Sequence, residues 1–104
     1  MAQNFNALVI YAEHRYFGES IPQDDPKKEH LKLENAMMDY LNLMKLVKEK
    51  YGVKEIVTFG GSYGGMLATW MRMKYPSMVS AAVVSGAPIL YFKDNQQVPE
   101  PIFF

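Results

Sequence analysis

Gly60-Gly61-Ser62-Tyr63-Gly64-Gly65 places four of the chain's seven glycines in six positions around one serine. The apolar run Ile56-Val57-Thr58-Phe59 leads into it, and a helix-like run from Met66 to Tyr75 leads out. Strand, Gly-x-Ser-x-Gly, helix is the sequence form of a nucleophile elbow. Such a turn holds the serine backbone in a strained conformation and pushes its hydroxyl outward. Side chains two residues to either side would collide, so the reading requires glycine at Gly60 and at Gly64. Ser62 is the candidate nucleophile. The backbone N–H of Tyr63 is the candidate first donor of an oxyanion hole.

The surrounding pattern supplies the frame. Phe5 to Ala12 reads as a strand, and its unbroken apolar run from Ala7 predicts burial on both faces. Glu13 to Lys28 is polar and interrupted by Gly18, Pro22 and Pro26, which predicts a loop. Leu33, Met37, Tyr40, Met44 and Val47 recur at three- and four-residue spacing, which predicts a helix from about Leu33 to Tyr51. Gly52 stands where a helix-ending glycine belongs. Val53 to Phe59 reads as a second strand. Gly64 to Tyr75 reads as a helix whose few charges predict surrounding protein, stopped by Pro76. Met78 to Ser85 reads as a third strand, broken by Gly86-Ala87-Pro88. Strand, helix, strand, elbow, helix, strand is an α/β order with parallel strands and right-handed crossovers. Ligand sites in such sheets lie beyond the carboxyl ends of the strands, where the elbow falls.

Composition narrows the partners. With 104 residues the chain suits one small domain, and 49% apolar with 21% charged residues is the balance of a globular protein. A formal net charge of zero without a basic patch argues against nucleic acid. No apolar run is long enough for a membrane span, and the first residues lack the pattern of a signal peptide. The absence of cysteine excludes disulfides and thiolate metal sites. No metal or cofactor is expected. The eight methionines read as adaptable core filler.

A serine needs a histidine to take its proton and a carboxylate to orient that histidine. On this architecture they follow in the order serine, acid, histidine. Both histidines of this chain, His14 and His30, precede Ser62, and only Asp94 and Glu100 follow it as carboxylates. Either His14, which follows a strand end, is recruited out of order, or the chain is part of a longer enzyme. The second account is preferred, because triad order is fixed within the architecture.

The segment Glu13-His14-Arg15-Tyr16-Phe17-Gly18-Glu19-Ser20 resembles a motif of one serine peptidase family. That family includes lysosomal Pro-Xaa carboxypeptidase, dipeptidyl peptidase II and thymus-specific serine protease. Gly60 to Ala68 is similar to its nucleophile motif, Trp70 to Pro76 to the helix after it, and Ser85-Gly86-Ala87-Pro88-Ile89 to a strand end. The resemblance covers about Ala7 to Ile89. It implies a partial α/β-hydrolase fold, with residues 1–104 belonging to one catalytic domain and 93–104 forming the start of a lid insertion or a disordered tail. It implies exopeptidases that cut after proline, of carboxypeptidase or dipeptidyl-peptidase type, in lysosomes, vesicles or outside the cell. The implied substrate is a peptide with proline near one end; dimers are compatible with the resemblance and specified by nothing in these residues. Ser62 maps onto the family's nucleophile, and its catalytic Asp and His have no counterpart here. In the implied fold a further strand lies between the equivalents of Phe5–Ala12 and Val53–Phe59. That strand is missing from this sequence, so apolar strand edges are expected to stand open. Lys32-Leu33-Glu34-Asn35-Ala36 also departs from the family, which has Ser or Thr before Glu-Gln-Ala as a helix cap.

Blander readings accompany each feature. Glu13, His14 and Arg15 read as a network bracing their own loop rather than as cleft residues. His30 reads as a solvated residue at the helix start, Trp70 as a core group, and Asp24-Asp25 as a solvated loop. A phosphate- or dinucleotide-binding unit is an alternative, since a glycine-rich turn before a helix cradles anions. Against it, Ser62 takes the middle glycine position, and no acidic residue ends a following strand at the expected distance. A non-catalytic fragment or interaction module is the third reading.

Overall fold

A computed structural model describes residues 2–25 and 27–89. The expectations for 93–104 lie outside the described residues. The chain divides into two compact units, the first ending at Leu43 and the second beginning at Met44. A short 3-10 helix, Ala2–Phe5, is followed by helix α1 (Leu33–Tyr51), strand β1 (Val57–Gly61), helix α2 (Ser62–Lys74) and strand β2 (Ala81–Ser85).

In the first unit, Tyr16, Ala36, Met37 and Leu41 are buried. Of the residues whose spacing predicts the helix, Met37 and Val47 are buried and Leu33, Tyr40 and Met44 half-buried, while Ala36 and Leu41, outside that set, are buried beside them. At the far end of the helix, Gly52 has φ +64 and its N–H donates to the Lys48 carbonyl at 3.0 Å, a left-handed helix stop. At the near end, Lys32 precedes the first helical residue and has no acceptor with which to cap it. Replacing Lys32 by Ser is expected to raise stability by about 1 kcal/mol. Urea unfolding of the full-length protein checks this, and an unchanged midpoint would contradict it.

The predicted strand over Phe5–Ala12 is overturned. Ala2–Phe5 is a 3-10 turn, and among the described residues 7–12 pair with no strand. Leu8, Val9, Ile10 and Tyr11 are exposed instead of buried on both faces. An extended segment becomes a strand only when a neighbour takes up its N–H and C=O groups.

The second unit contains the sheet. β1 and β2 are parallel, with Val57 opposite Ala81 and Gly61 opposite Ser85. Both strands start later than the sequence pattern suggests, and β1 continues through Gly60 and Gly61. Just before the strands, the Ser80 N–H donates to the Ile56 carbonyl at 2.8 Å. The Ser80 hydroxyl donates to the Glu55 carboxylate. α2 buries Gly65, Leu67, Ala68 and Met71, a stripe at helical spacing. Its low charge predicts a helix surrounded by protein, but Met73 is exposed and Trp70 only half-buried. Past the helix, the Met78 and Val79 N–H groups both donate to the Tyr75 carbonyl at 3.0 Å. Val79 is thereby carried into the core, fully buried.

Candidate active site

β1 delivers the chain to Gly61, and α2 starts at the next residue, Ser62. Gly61 is still extended, at φ −117 and ψ 150, whereas Ser62 is at φ +51. The chain therefore passes from strand to helix through one left-handed residue, and that residue carries a side chain. L-residues avoid this region by about 1–2 kcal/mol, so the turn holds Ser62 against its own preference. Ser62 is exposed.

The glycines around Ser62 separate into two kinds. A Cβ on Gly60 would lie 2.2 Å from the Gly64 carbonyl oxygen and 2.4 Å from its carbon. Gly60 is thus required, as the sequence predicts. The same requirement at Gly64 is overturned, because a Cβ there meets nothing within 4 Å. The crowded helical position is Gly65, where a Cβ would lie 2.9 Å from the Ala87 Cβ and 3.0 Å from Val84 Cγ1. Sequence spacing misses Gly65 and Ala87 because their meeting depends on the path of the chain after β2. There Gly86, at φ +54, bends the chain.

Tyr63 follows Ser62 in the first turn of α2. First-turn N–H groups lie outside a helix's own ladder and carry the positive end of its dipole. The elbow stands at the carboxyl ends of both strands. With Val84 against Gly65, the sheet face shared by Gly60 and Val84 is the one toward α2. On the other face Phe59 and Val83 are exposed.

The Glu13–Ser20 segment is a self-braced loop. Glu13 Oε2 accepts from the Ser20 hydroxyl at 2.6 Å, the Ser20 N–H at 2.9 Å and the Glu19 N–H at 3.1 Å. Gly18, at φ +55, sits so close to this carboxylate that a Cβ would overlap Glu13 Oε1. Arg15 forks onto Asp39, with Nε and Nη2 each 2.7 Å from a carboxylate oxygen, and its Nη1 donates to the His30 carbonyl at 2.9 Å. The His14 ring donates through Nδ1 to the Arg15 carbonyl at 2.7 Å and stands edge-on to Phe17. Glu13, His14 and Arg15 therefore brace their own loop, as the blander reading holds. Asp25 caps the following turn, accepting from the Tyr16 hydroxyl and from the N–H groups of Glu29 and His30. His30 thus serves the helix start through its backbone.

The Ser20 hydroxyl, aided by the backbone N–H groups of Ser20 and Glu19, holds the Glu13 carboxyl below the usual range. The Tyr16 hydroxyl, followed by the N–H groups of Glu29 and His30, does the same for Asp25. Since folding lowers the Glu13 value, its contribution is complete above the ordinary value of about 4.3 and is lost as pH falls through the lowered one. Glu13→Gln should remove this step. The protection of the Ser20 amide against exchange, taken relative to an unstructured peptide at each pH from about pH 5 downward, is expected to fall with acid in the parent and to lose that dependence in the variant. Equal acid dependence in both would contradict the assignment.

Among the described residues no three or more His, Cys, Asp or Glu side chains are grouped to hold a metal ion. No helix among them is long and apolar enough to cross a membrane.

A parallel β-α-β unit with an exposed serine in a left-handed turn at a strand's carboxyl end is an α/β unit of the strand–elbow–helix type. The sequence profile of the serine carboxypeptidase S28 family matches residues 1–102, and the chain belongs to that family. It is 42% identical to human lysosomal Pro-X carboxypeptidase over 103 residues, 90% of this chain and 21% of that protein. It is 34% identical to prolyl carboxy peptidase like protein 5 of Caenorhabditis elegans, over 99% of this chain and 22% of that protein. With mouse thymus-specific serine protease the identity is 38%, over 86% and 19%. The chain spans about a fifth of the length of the curated relatives it matches.

Proposed function

We propose that this chain is the nucleophile-bearing part of a serine exopeptidase of the α/β-hydrolase type, with Ser62 as nucleophile. The observation that carries the reading is the left-handed backbone of Ser62, at φ +51 between β1 and α2. Asn6, Tyr16 and Lys28 are left-handed as well, and what sets Ser62 apart is its place between a strand's carboxyl end and a helix start.

In the reaction, the Ser62 oxygen attacks the carbonyl carbon of the scissile peptide while a histidine takes its proton. The carbonyl oxygen becomes an oxyanion and accepts a hydrogen bond from the Tyr63 N–H, one of two donors such a site needs. The histidine then gives the proton to the leaving nitrogen, the C–N bond breaks, and water releases the acyl group from Ser62 by the same steps. The histidine and its acid partner lie outside this chain, because no histidine follows Ser62. Residues 1–104 alone are accordingly inactive, and the mechanism needs no metal or cofactor.

The substrate is a peptide with proline before the scissile bond, a reading supported by the relatives named for Pro-X cleavage. Carboxypeptidase action is favoured by the family's description. The site of action is an acidic vesicle, the lysosome, or the exterior. The lysosome is favoured by the relatives named lysosomal Pro-X carboxypeptidase. The test is turnover of a chromogenic peptide with proline before the reporter by the full-length protein. Turnover that disappears in Ser62→Ala supports the proposal, and turnover independent of Ser62 overturns it.

A further inference from the structure

The contact of Ala87 on Gly65 lies apart from the serine and its oxyanion donor, yet it touches the helical turn that carries both. β2 runs beside β1 as far as Ser85, opposite Gly61. Gly86, at φ +54, then turns the chain, and the Ile89 N–H donates to the Ala87 carbonyl at 2.9 Å, closing a tight bend. That bend sets the Ala87 methyl against α2 at Gly65, with Val84 Cγ1 beside it. On the inner side, a Cβ at position 65 would lie 3.1 Å from the Gly60 carbonyl oxygen. Gly65 is thus enclosed by the loop after β2 on one side and by the strand entering the elbow on the other. A group added there must move one of them. The Gly60 carbonyl is two residues before Ser62, so movement on that side displaces the elbow itself.

We infer that Ala87 is a positioning residue, which presses the first turn of α2 against Gly60 and so holds Ser62 in its left-handed conformation. The inference rests on the nucleophile reading of Ser62. Ala87 touches neither substrate nor the reacting atoms; it acts through Gly65. Its size is matched to a glycine: a methyl at 87 fills the gap, and a second methyl at 65 overfills it.

The consequence is a reversal of sign between two substitutions. Alone, Ala87→Gly loosens the clamp and lowers the rate at which Ser62 reacts with a fluorophosphonate. In a Gly65→Ala background the same change makes room for the new methyl and raises that rate. Misplacement of a reacting group by about 1 Å costs about a hundredfold, so Gly65→Ala is expected to lose at least tenfold and Ala87→Gly to restore much of it. With peptide substrate the loss should fall on kcat expressed per titrated active site and leave KM nearly unchanged, whereas a mere loss of fold would lower only the number of sites that titrate.

The experiment measures labelling rate, kcat, KM and thermal midpoint for the parent, the two single variants and the double variant, all in the full-length protein. If Gly65→Ala does not fold, Ala87→Val overfills the same gap from the loop side and should slow labelling in the same way. Rescue of Gly65→Ala by Ala87→Gly, or slowed labelling by a folded Ala87→Val where the first does not fold, supports the clamp. Equal fold-changes for Ala87→Gly in both backgrounds, or a folded Ala87→Val that labels at the parent rate, overturn it. Labelling that persists in Ser62→Ala would instead defeat the nucleophile reading, so the two failures are distinguishable.

Discussion

Ser62→Ala is expected to lower kcat of the full-length protein by about 10^5- to 10^6-fold, with KM little changed. The hydroxyl contributes chiefly at the transition state, where its oxygen forms the new bond, and little to holding the ground-state peptide. What remains comes from binding and the oxyanion donors. Stability should hardly move, because residue 62 is exposed and alanine dislikes φ +51 as much as serine does. Ser62→Gly separates the two properties. It should abolish turnover equally while stabilising the fold by about 1 kcal/mol, because glycine adopts the left-handed conformation without penalty. Kinetics with a prolyl chromogenic peptide and a thermal melt check both halves. A Ser62→Gly variant no more stable than the parent would argue against strain at the elbow.

Gly60→Ala carries the largest expected structural cost. Its methyl would meet the Gly64 carbonyl oxygen at 2.2 Å, the Gly64 carbon at 2.4 Å and the Gly65 nitrogen at 2.7 Å. All three are backbone atoms of the first turn of α2, so no side-chain rotation relieves the overlap. Overpacking that displaces backbone costs about 3 kcal/mol or more, a fall of roughly 6–12 °C in thermal midpoint for a domain of a few hundred residues. Activity should fall as well, because relief requires α2 to shift relative to β1 and Ser62 sits at their junction. Gly64→Ala is the matched control. Its methyl points into open space, and alanine in a helix is more favourable than glycine by about 0.5–1 kcal/mol. Equal destabilisation by the two substitutions would contradict the geometry drawn for the elbow.

What the residues reveal on their own follows the range of the interactions involved. α1 is legible from spacing because apolar residues three and four apart fall on one side of a helix, and its end is marked by a glycine beside it. The elbow is legible because strand, turn and helix adjoin in sequence. Phe5–Ala12 is misread because a strand is defined by its partner, and apolar content cannot show whether a partner is present. Gly64 is misread for a related reason. Spacing about Ser62 treats both flanking glycines alike, whereas the collisions depend on which atoms of α2 and of the loop after β2 come near. Ala87 is 22 positions beyond Gly65 in the chain, and only the parallel register of β1 with β2 brings them together. Trp70 is half-buried, since α2 buries one stripe rather than its whole surface.

The role of Ser62 is tested most directly by reacting the full-length protein with a fluorophosphonate and mapping the adduct by peptide mass spectrometry. One stoichiometric adduct is expected, on the peptide containing Ser62, and none after heat denaturation, since reactivity depends on the folded elbow and its base. An unmodified Ser62 peptide in a protein that still cleaves prolyl substrates, or an adduct on another serine, would contradict that role.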